Sequence, residues 1–128
     1  MANEPRRPTD AELEILTVLW STGPATVREV HDVIRRRRTA QYSTVLKFMQ
    51  IMAEKGLVRR DLNQRAHIYE AARPREWTQR QLAGDLLERA FAGSAKALLV
   101  GALSARKTSK KELAEIRKLL DEYRKEEK

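Results

Sequence analysis

Apolar residues recur at helical pitch in three successive blocks of the first half of the chain, and then the pitch changes. Leu13, Leu16 and Trp20, with Ile15 and Leu19 beside them, mark the inner face of a first helix. Thr9-Asp10-Ala11-Glu12 ahead of it has the Thr-x-x-Glu spacing of a reciprocal N-terminal cap, and Ser21-Thr22-Gly23-Pro24 stops it. Thr26-Val27-Arg28-Glu29 repeats the cap before a second helix with Val27, Val30, Val33 and Ile34 turned inward. In the third block, from Tyr42, Val45, Phe48, Met49 and Met52 share one face. Ser43, Lys47, Gln50 and Glu54 share the opposite one, with Thr44 and Ile51 on its flank. Gly56 ends that helix, as a residue free to take the left-handed conformation. Beyond it, Leu57–Leu62 and Arg65–Ala71 read as two short strands turned at Asn63-Gln64. Three helices with a short connection before the third, closed by a hairpin, predict a winged helix-turn-helix over residues 9–72.

Arg73-Pro74-Arg75-Glu76 breaks the pattern, and three further apolar stripes follow. One carries Leu82, Leu86, Leu87, Ala90 and Phe91 over about residues 76–91. A shorter one after Gly93-Ser94 carries Leu98, Leu99, Ala102 and Leu103. The last opens at Ser109-Lys110-Lys111-Glu112, a third cap spacing, and places Leu113, Ile116, Leu120 and Tyr123 in a coiled-coil-like seam. So short a segment, 76–124, cannot close a core alone. It predicts a three-helix dimerisation domain that buries Leu82, Leu86, Leu99, Leu103, Leu113, Ile116 and Leu120 against a second copy, the alternative being that it folds back on the first domain. The expected fold class is mainly α with a small β-hairpin.

Composition sharpens the reading of partners. The 128 residues carry a net charge of +8 and a pI of about 10.1, with 34% charged residues and 5% aromatic. A small protein this basic is suited to a polyanion, and nucleic acid is the first candidate. The excess is spread along the chain, with 12 basic and 9 acidic residues up to Ala72 and 14 and 9 beyond. Arg59, Arg60 and Arg65 make the hairpin basic, suited to phosphates beside a groove. Arg35 to Arg38 either clamp phosphate or simply terminate the second helix in solvent. Residues 1–8, with Arg6 and Arg7, read as a loose arm.

Cysteine is absent, which removes disulfides, thiol catalysis and cysteine-based zinc sites. His31 and His67 have no partner at ligand spacing, so no metal and no cofactor is expected. Gly84, Gly93 and Gly101 form no phosphate loop, and Glu126-Glu127 sit in a charged tail. Ser43 and Thr44 have no histidine base nearby, so no catalytic residue and no enzyme activity is expected. The longest apolar run, Ala97–Leu103, is too short for a membrane span, and the opening MANEPRRPTD lacks the apolar region of a signal peptide. A cytoplasmic location is the expectation.

The segments TDAELEILTVLWSTGPATVREV, QYSTVLKFMQIMAEKGLVRR and RAHIYEA, in that order, resemble the penicillinase-repressor family (BlaI/MecI/CopY type). The similarity continues through FAGSAKALLVGAL and SKKELAEIRKLLDE, over roughly residues 9–122. The resemblance implies a homodimeric transcriptional repressor with an N-terminal winged helix, and inverted-repeat operators with TACA-like half-site cores. It places Ser43, Thr44 and Lys47 of the recognition helix and Arg65 of the wing against double-stranded DNA; the outward-facing Gln50 and the basic Arg59 join them from the residue pattern. Where the family often has threonine and arginine, this chain has Lys47 and Ile51, which implies a different operator preference. The cysteines of the copper-responsive branch are missing. The β-lactam branch implies a membrane sensor-protease as a partner and a cut at an Asn-Phe bond, which falls here on Gly101-Ala102.

Two other functions fit the same pattern. A small molecule could enter an effector pocket at the dimer interface of a ligand-sensing winged-helix regulator, or the winged helix could contact protein or RNA. A strongly basic wing speaks for DNA over the last of these.

Overall fold

Thr9 caps the first helix, α1 (Asp10–Thr22), from both directions. Its hydroxyl accepts from the Glu12 amide at 3.2 Å, and its own amide donates to Glu12 Oε1 at 2.9 Å. Thr26 and Glu29 form the same reciprocal pair at the start of α2 (Val27–Arg35). The third helix, α3 (Tyr42–Lys55), ends at Gly56, whose φ of 83° and ψ of 14° are left-handed. The hairpin follows, β1 (Val58–Asp61) antiparallel to β2 (Ile68–Ala71), with Val58 opposite Ala71 and Asp61 opposite Ile68. Three helices then complete the chain: α4 (Arg75–Arg89), α5 (Ala95–Ala105) and α6 (Lys110–Glu126). These elements are those of a computed structural model that describes residues 7–126. Arg6 of the N-terminal arm and Glu127 of the tail lie outside the described residues.

The wing differs from its expected form. The paired strands are shorter than Leu57–Leu62 and Arg65–Ala71, and the loop 62–67 replaces a two-residue turn. Asp61 is the reason: its carboxylate accepts from the Asn63 amide at 2.9 Å, a local turn that peels the chain off the ladder. Residues 63–67 then carry no large apolar side chain to hold them to the core, and all are exposed. Arg65 therefore sits on a loop rather than in a strand.

One buried cluster holds the first three helices and the hairpin together. Ile15, Leu16, Val18 and Leu19 of α1 meet Val30 and Ile34 of α2, Val45, Met49 and Met52 of α3, and Val58 and Tyr69 of the hairpin. Tyr69 also exchanges backbone hydrogen bonds with Ala25, at 2.9 and 2.8 Å, so the loop before α2 adds a third short rung to the hairpin. Each such apolar side chain contributes about 1.5–3 kcal/mol when fully buried. Because Val45, Met49 and Met52 recur at helical pitch, their burial fixes which side of α3 faces away from the core.

A buried charge pair adds a second constraint on α3. Glu12 is only 2% exposed, yet its Oε2 lies 2.8 Å from Lys55 Nζ in the last turn of α3. Burial by itself disfavours the carboxylate. The hydrogen bond from Lys55, the Thr9 amide and hydroxyl, and the Lys55 charge outweigh that, and hold Glu12 below its ordinary value of 4.5. One carboxylate thus caps α1 and ties it to the end of α3.

The packing divides the chain into two units, one reaching Ala83 and one starting at Gly84. The sequence changes character at Arg73-Pro74, but the first two turns of α4 belong to the first unit, where Thr78 is buried. In the second unit Ser94 caps α5, its hydroxyl accepting from the Ala97 amide at 3.0 Å. The Phe91 ring lies 3.4 Å from where a Cβ on Gly101 would stand. Ser109 accepts from the Glu112 amide at 3.0 Å, which is one half of the reciprocal cap expected before α6. No described residue of this unit is buried.

Lys55→Met would leave the Glu12 carboxylate buried without its cation. We expect a loss of about 1–3 kcal/mol in the first unit, measured by chemical denaturation. The pH dependence follows from the sign of the shift. With its folded value depressed, Glu12 contributes stability that is present above 4.5 and lost as pH falls through the lower folded value. Removing the cation raises that folded value, so the acid-unfolding midpoint of Lys55→Met should move to higher pH, followed by the fluorescence of Trp20 and Trp77.

Candidate nucleic-acid interface

With the inner face of α3 fixed, its outer face is a polar row. Ser43, Thr44, Lys47 and Gln50 are all exposed along the first two and a half turns. Glu54, also exposed, stands in the last turn and would repel a phosphate backbone. The row is therefore suited to contact an anionic groove through its N-terminal half, the part of a recognition helix that meets base edges. The start of α3 is prepared electrostatically as well: no side chain caps it, and its first turn contains no acidic residue. The helix dipole leaves partial positive charge at that end.

Basic residues flank the row on both sides. At the end of α2 and in the turn ahead of α3, the run Arg35–Arg38 is split in use. Arg35 pairs with Asp32 at 3.0 Å, and Arg38 forks onto Glu14 of α1, with Nη2 2.6 Å from Oε1. Arg36 and Arg37 between them are exposed. After α3, Arg60 and Arg65 of the wing are exposed, with His67 beyond them. Arg59 is differently placed: it reaches across the hairpin to Glu70 at 3.3 Å and to the Ala72 carbonyl at 3.3 Å. An exposed pair of this kind is worth at most about 1 kcal/mol, so it costs little to exchange for a phosphate.

His31 and Tyr42 organise the turn between α2 and α3, a role that their sequence context did not signal. The His31 Nε2 lies 2.8 Å from the Ala40 carbonyl, and its ring meets Tyr42 edge-on at 5.7 Å. Tyr42 is itself 45% exposed at the leading end of α3, next to Ser43. Tyr42 thus stands exposed beside the outer row at its leading end. A lone histidine eleven residues ahead of a tyrosine carries no pattern that reveals such a pairing.

The residues marked for dimerisation fall on the last three helices. Leu82 is half-buried on α4 and Leu86 is exposed there; Leu99 and Leu103 are half-buried on α5. On α6, Ile116 is half-buried, whereas Leu113 is 44% and Leu120 53% exposed. Val100, Leu119 and Tyr123 add to the uncovered apolar surface. Gly101 and Ala102 lie inside α5. No group of histidine, cysteine and acidic side chains that could hold a metal occurs among the described residues. No helix among them is long and apolar enough to cross a membrane.

Three helices closed by a hairpin, with a polar row on the third, define a winged-helix regulator of transcription rather than an enzyme. The family model described as penicillinase repressor matches residues 8–122, and the chain belongs to that family. It is 39% identical over 93 residues to proteins named transcriptional regulator BlaI from two strains of Mycobacterium tuberculosis, CDC 1551 / Oshkosh and H37Rv. Each match spans 71% of this chain and 67% of the relative.

Lys47 is exposed and off the buried face, so Lys47→Ala should leave thermal stability within about 0.5 kcal/mol of the parent. On duplex DNA a lost base contact would cost about 1–3 kcal/mol and relax selectivity at one base pair. Competition among single-base variants of a bound duplex reads this directly. Unchanged affinity and selectivity in the folded variant would place the contact face elsewhere.

Proposed function

We propose that the chain acts as a homodimeric repressor that grips an inverted-repeat operator with two copies of α3 and the wing. The observation that carries this reading is the outer row of α3, with Arg36 and Arg37 before it and Arg60 and Arg65 after it. Such an arrangement separates the tasks: arginines hold the backbone and fix register, while Ser43, Thr44, Lys47 and Gln50 meet base edges. The relatives' name, transcriptional regulator, supports the same role. Dimerisation is supported by apolar side chains that one copy leaves uncovered on α4, α5 and α6. In this reading a sensor-protease at the membrane would release the operator by cutting Gly101-Ala102, which separates Leu103 and all of α6 from α4. The bond lies within α5, so the helix must open locally before any protease can bind it.

Binding to duplexes from the gene's own upstream region, titrated with salt, tests the proposal. Log K should fall linearly with log salt, by about 0.9 for each phosphate neutralised, and one inverted repeat should be preferred. Its half-sites should lie about one helical turn, roughly 10 bp, apart or a multiple of it. A slope near zero, or equal affinity for every duplex, contradicts the proposal. Ile116→Asp should convert the dimer to monomer in sedimentation, because an unpaired carboxylate is strongly disfavoured in an apolar seam. The first unit has its own core and should stay folded, yet affinity for the repeat should collapse once two heads no longer share one binding event.

A further inference from the structure

The connection between head and α4 is tighter than its sequence suggests. Both tryptophans of the chain and two arginines meet there. The Trp20 indole N–H donates to the Arg73 carbonyl at 3.0 Å, and the Arg73 guanidinium covers the Trp77 ring at 4.5 Å from its centroid. Arg75 lies 6.0 Å from the Trp20 ring centroid and donates to the Ser21 hydroxyl at 3.3 Å. Thr78, one turn into α4, is buried. The start of α4 is thereby clasped to the end of α1, within the first unit.

The boundary between the two units falls within the same helix. Gly84, the first residue of the second unit, is exposed in the middle of α4. A Cβ placed on it would meet nothing within 4 Å, so no neighbouring atom requires a glycine here. Its backbone is helical, so no left-handed turn requires one either. Glycine in a helix interior weakens the helix relative to alanine, because it has more backbone freedom to lose. Gly84 is therefore a weak point in one continuous helix, just past its clasped first turns.

We propose that Gly84 is a hinge which, together with the Trp20–Arg73–Trp77 clasp, determines the half-site spacing that the dimer accepts. This rests on the dimeric DNA-binding reading above. The clasp passes the orientation of each recognition helix to the first turns of α4. Gly84 lets that orientation adjust relative to the dimer contacts that follow. One added base pair turns a half-site by about 34–36° around the duplex, so spacing selectivity is a measure of how stiff this joint is.

The probe is an inverted repeat selected from random duplexes by the wild-type protein, remade with one base pair added or removed between half-sites. Gly84→Ala should hold its affinity for the selected spacing within about threefold and lose at least tenfold more than wild type on the altered spacings. Trp77→Ala should do the reverse, with weaker binding overall and a ratio between spacings nearer to one. Amide hydrogen exchange read without DNA gives an independent arm: amides around residue 84 should exchange faster than those around residue 79, and slow in Gly84→Ala. Identical spacing profiles and identical exchange in wild type and Gly84→Ala overturn the hinge while leaving the repressor reading intact. Failure of wild type to select any inverted repeat overturns both.

Discussion

The burial of one face of α3 is the constraint on which the rest of the structure depends. A helix can present Ser43, Thr44, Lys47 and Gln50 in a fixed row only if something prevents it from rolling. Val45, Met49 and Met52 do this by packing into the cluster formed by α1, α2 and the hairpin. Methionine suits the position, being flexible enough to fill the irregular space between two helices and a strand. The Glu12–Lys55 pair adds directional control at the far end, where packing alone would let the helix slide. Since Glu12 also caps α1, the ends of two helices answer to one carboxylate. Apolar contacts supply most of the energy here, and the ion pair supplies geometry.

Charge is distributed according to what each surface must do. The long run of arginines is divided between internal pairs, at Arg35 and Arg38, and exposed cations, at Arg36 and Arg37. Arg38 in particular joins the turn before α3 to Glu14 of α1, which steadies the leading end of the contact row. The wing follows the same division, with Arg59 laid across the strands and Arg60 and Arg65 free to face a phosphate backbone. A net charge of +8 suits the chain to a polyanion without choosing a sequence, and in the proposed reading selection falls to a few polar side chains on one helix.

Much of this architecture was legible in the sequence because local rules and global packing agree. Both Thr-x-x-Glu caps, the inner face of α3 and the glycine stop at Gly56 follow from short-range chemistry, and all are present. What escaped depends on contacts between distant segments. Tyr69 is fully buried and pairs with Ala25 across 44 positions, and no local pattern announces such a rung. Glu12 reads as a capping residue, and only the fold brings Lys55 to it. Asn63-Gln64 resembles a tight turn in sequence, whereas Asp61 starts the loop earlier by accepting from the Asn63 amide. On the outer side of α3, pitch places Ser43, Thr44, Lys47 and Gln50 in one row and all four are exposed, whereas no local pattern signals the contact of Tyr42 with His31.

The second unit has the opposite character. A serine caps each of α5 and α6, yet none of the unit's described residues is buried, which is why the proposed reading completes its apolar stripes with a second copy. The head carries the recognition row and the last three helices carry the surface that would pair two heads. The most direct measurement of the central claim is a chemical-shift map of the full chain as an operator duplex is added. The account predicts that the largest changes fall on the backbone amides of Ser43, Thr44, Lys47 and Gln50 and on Arg65 of the wing, with α6 little affected. Large changes confined to α5 and α6, with α3 unmoved, would contradict it.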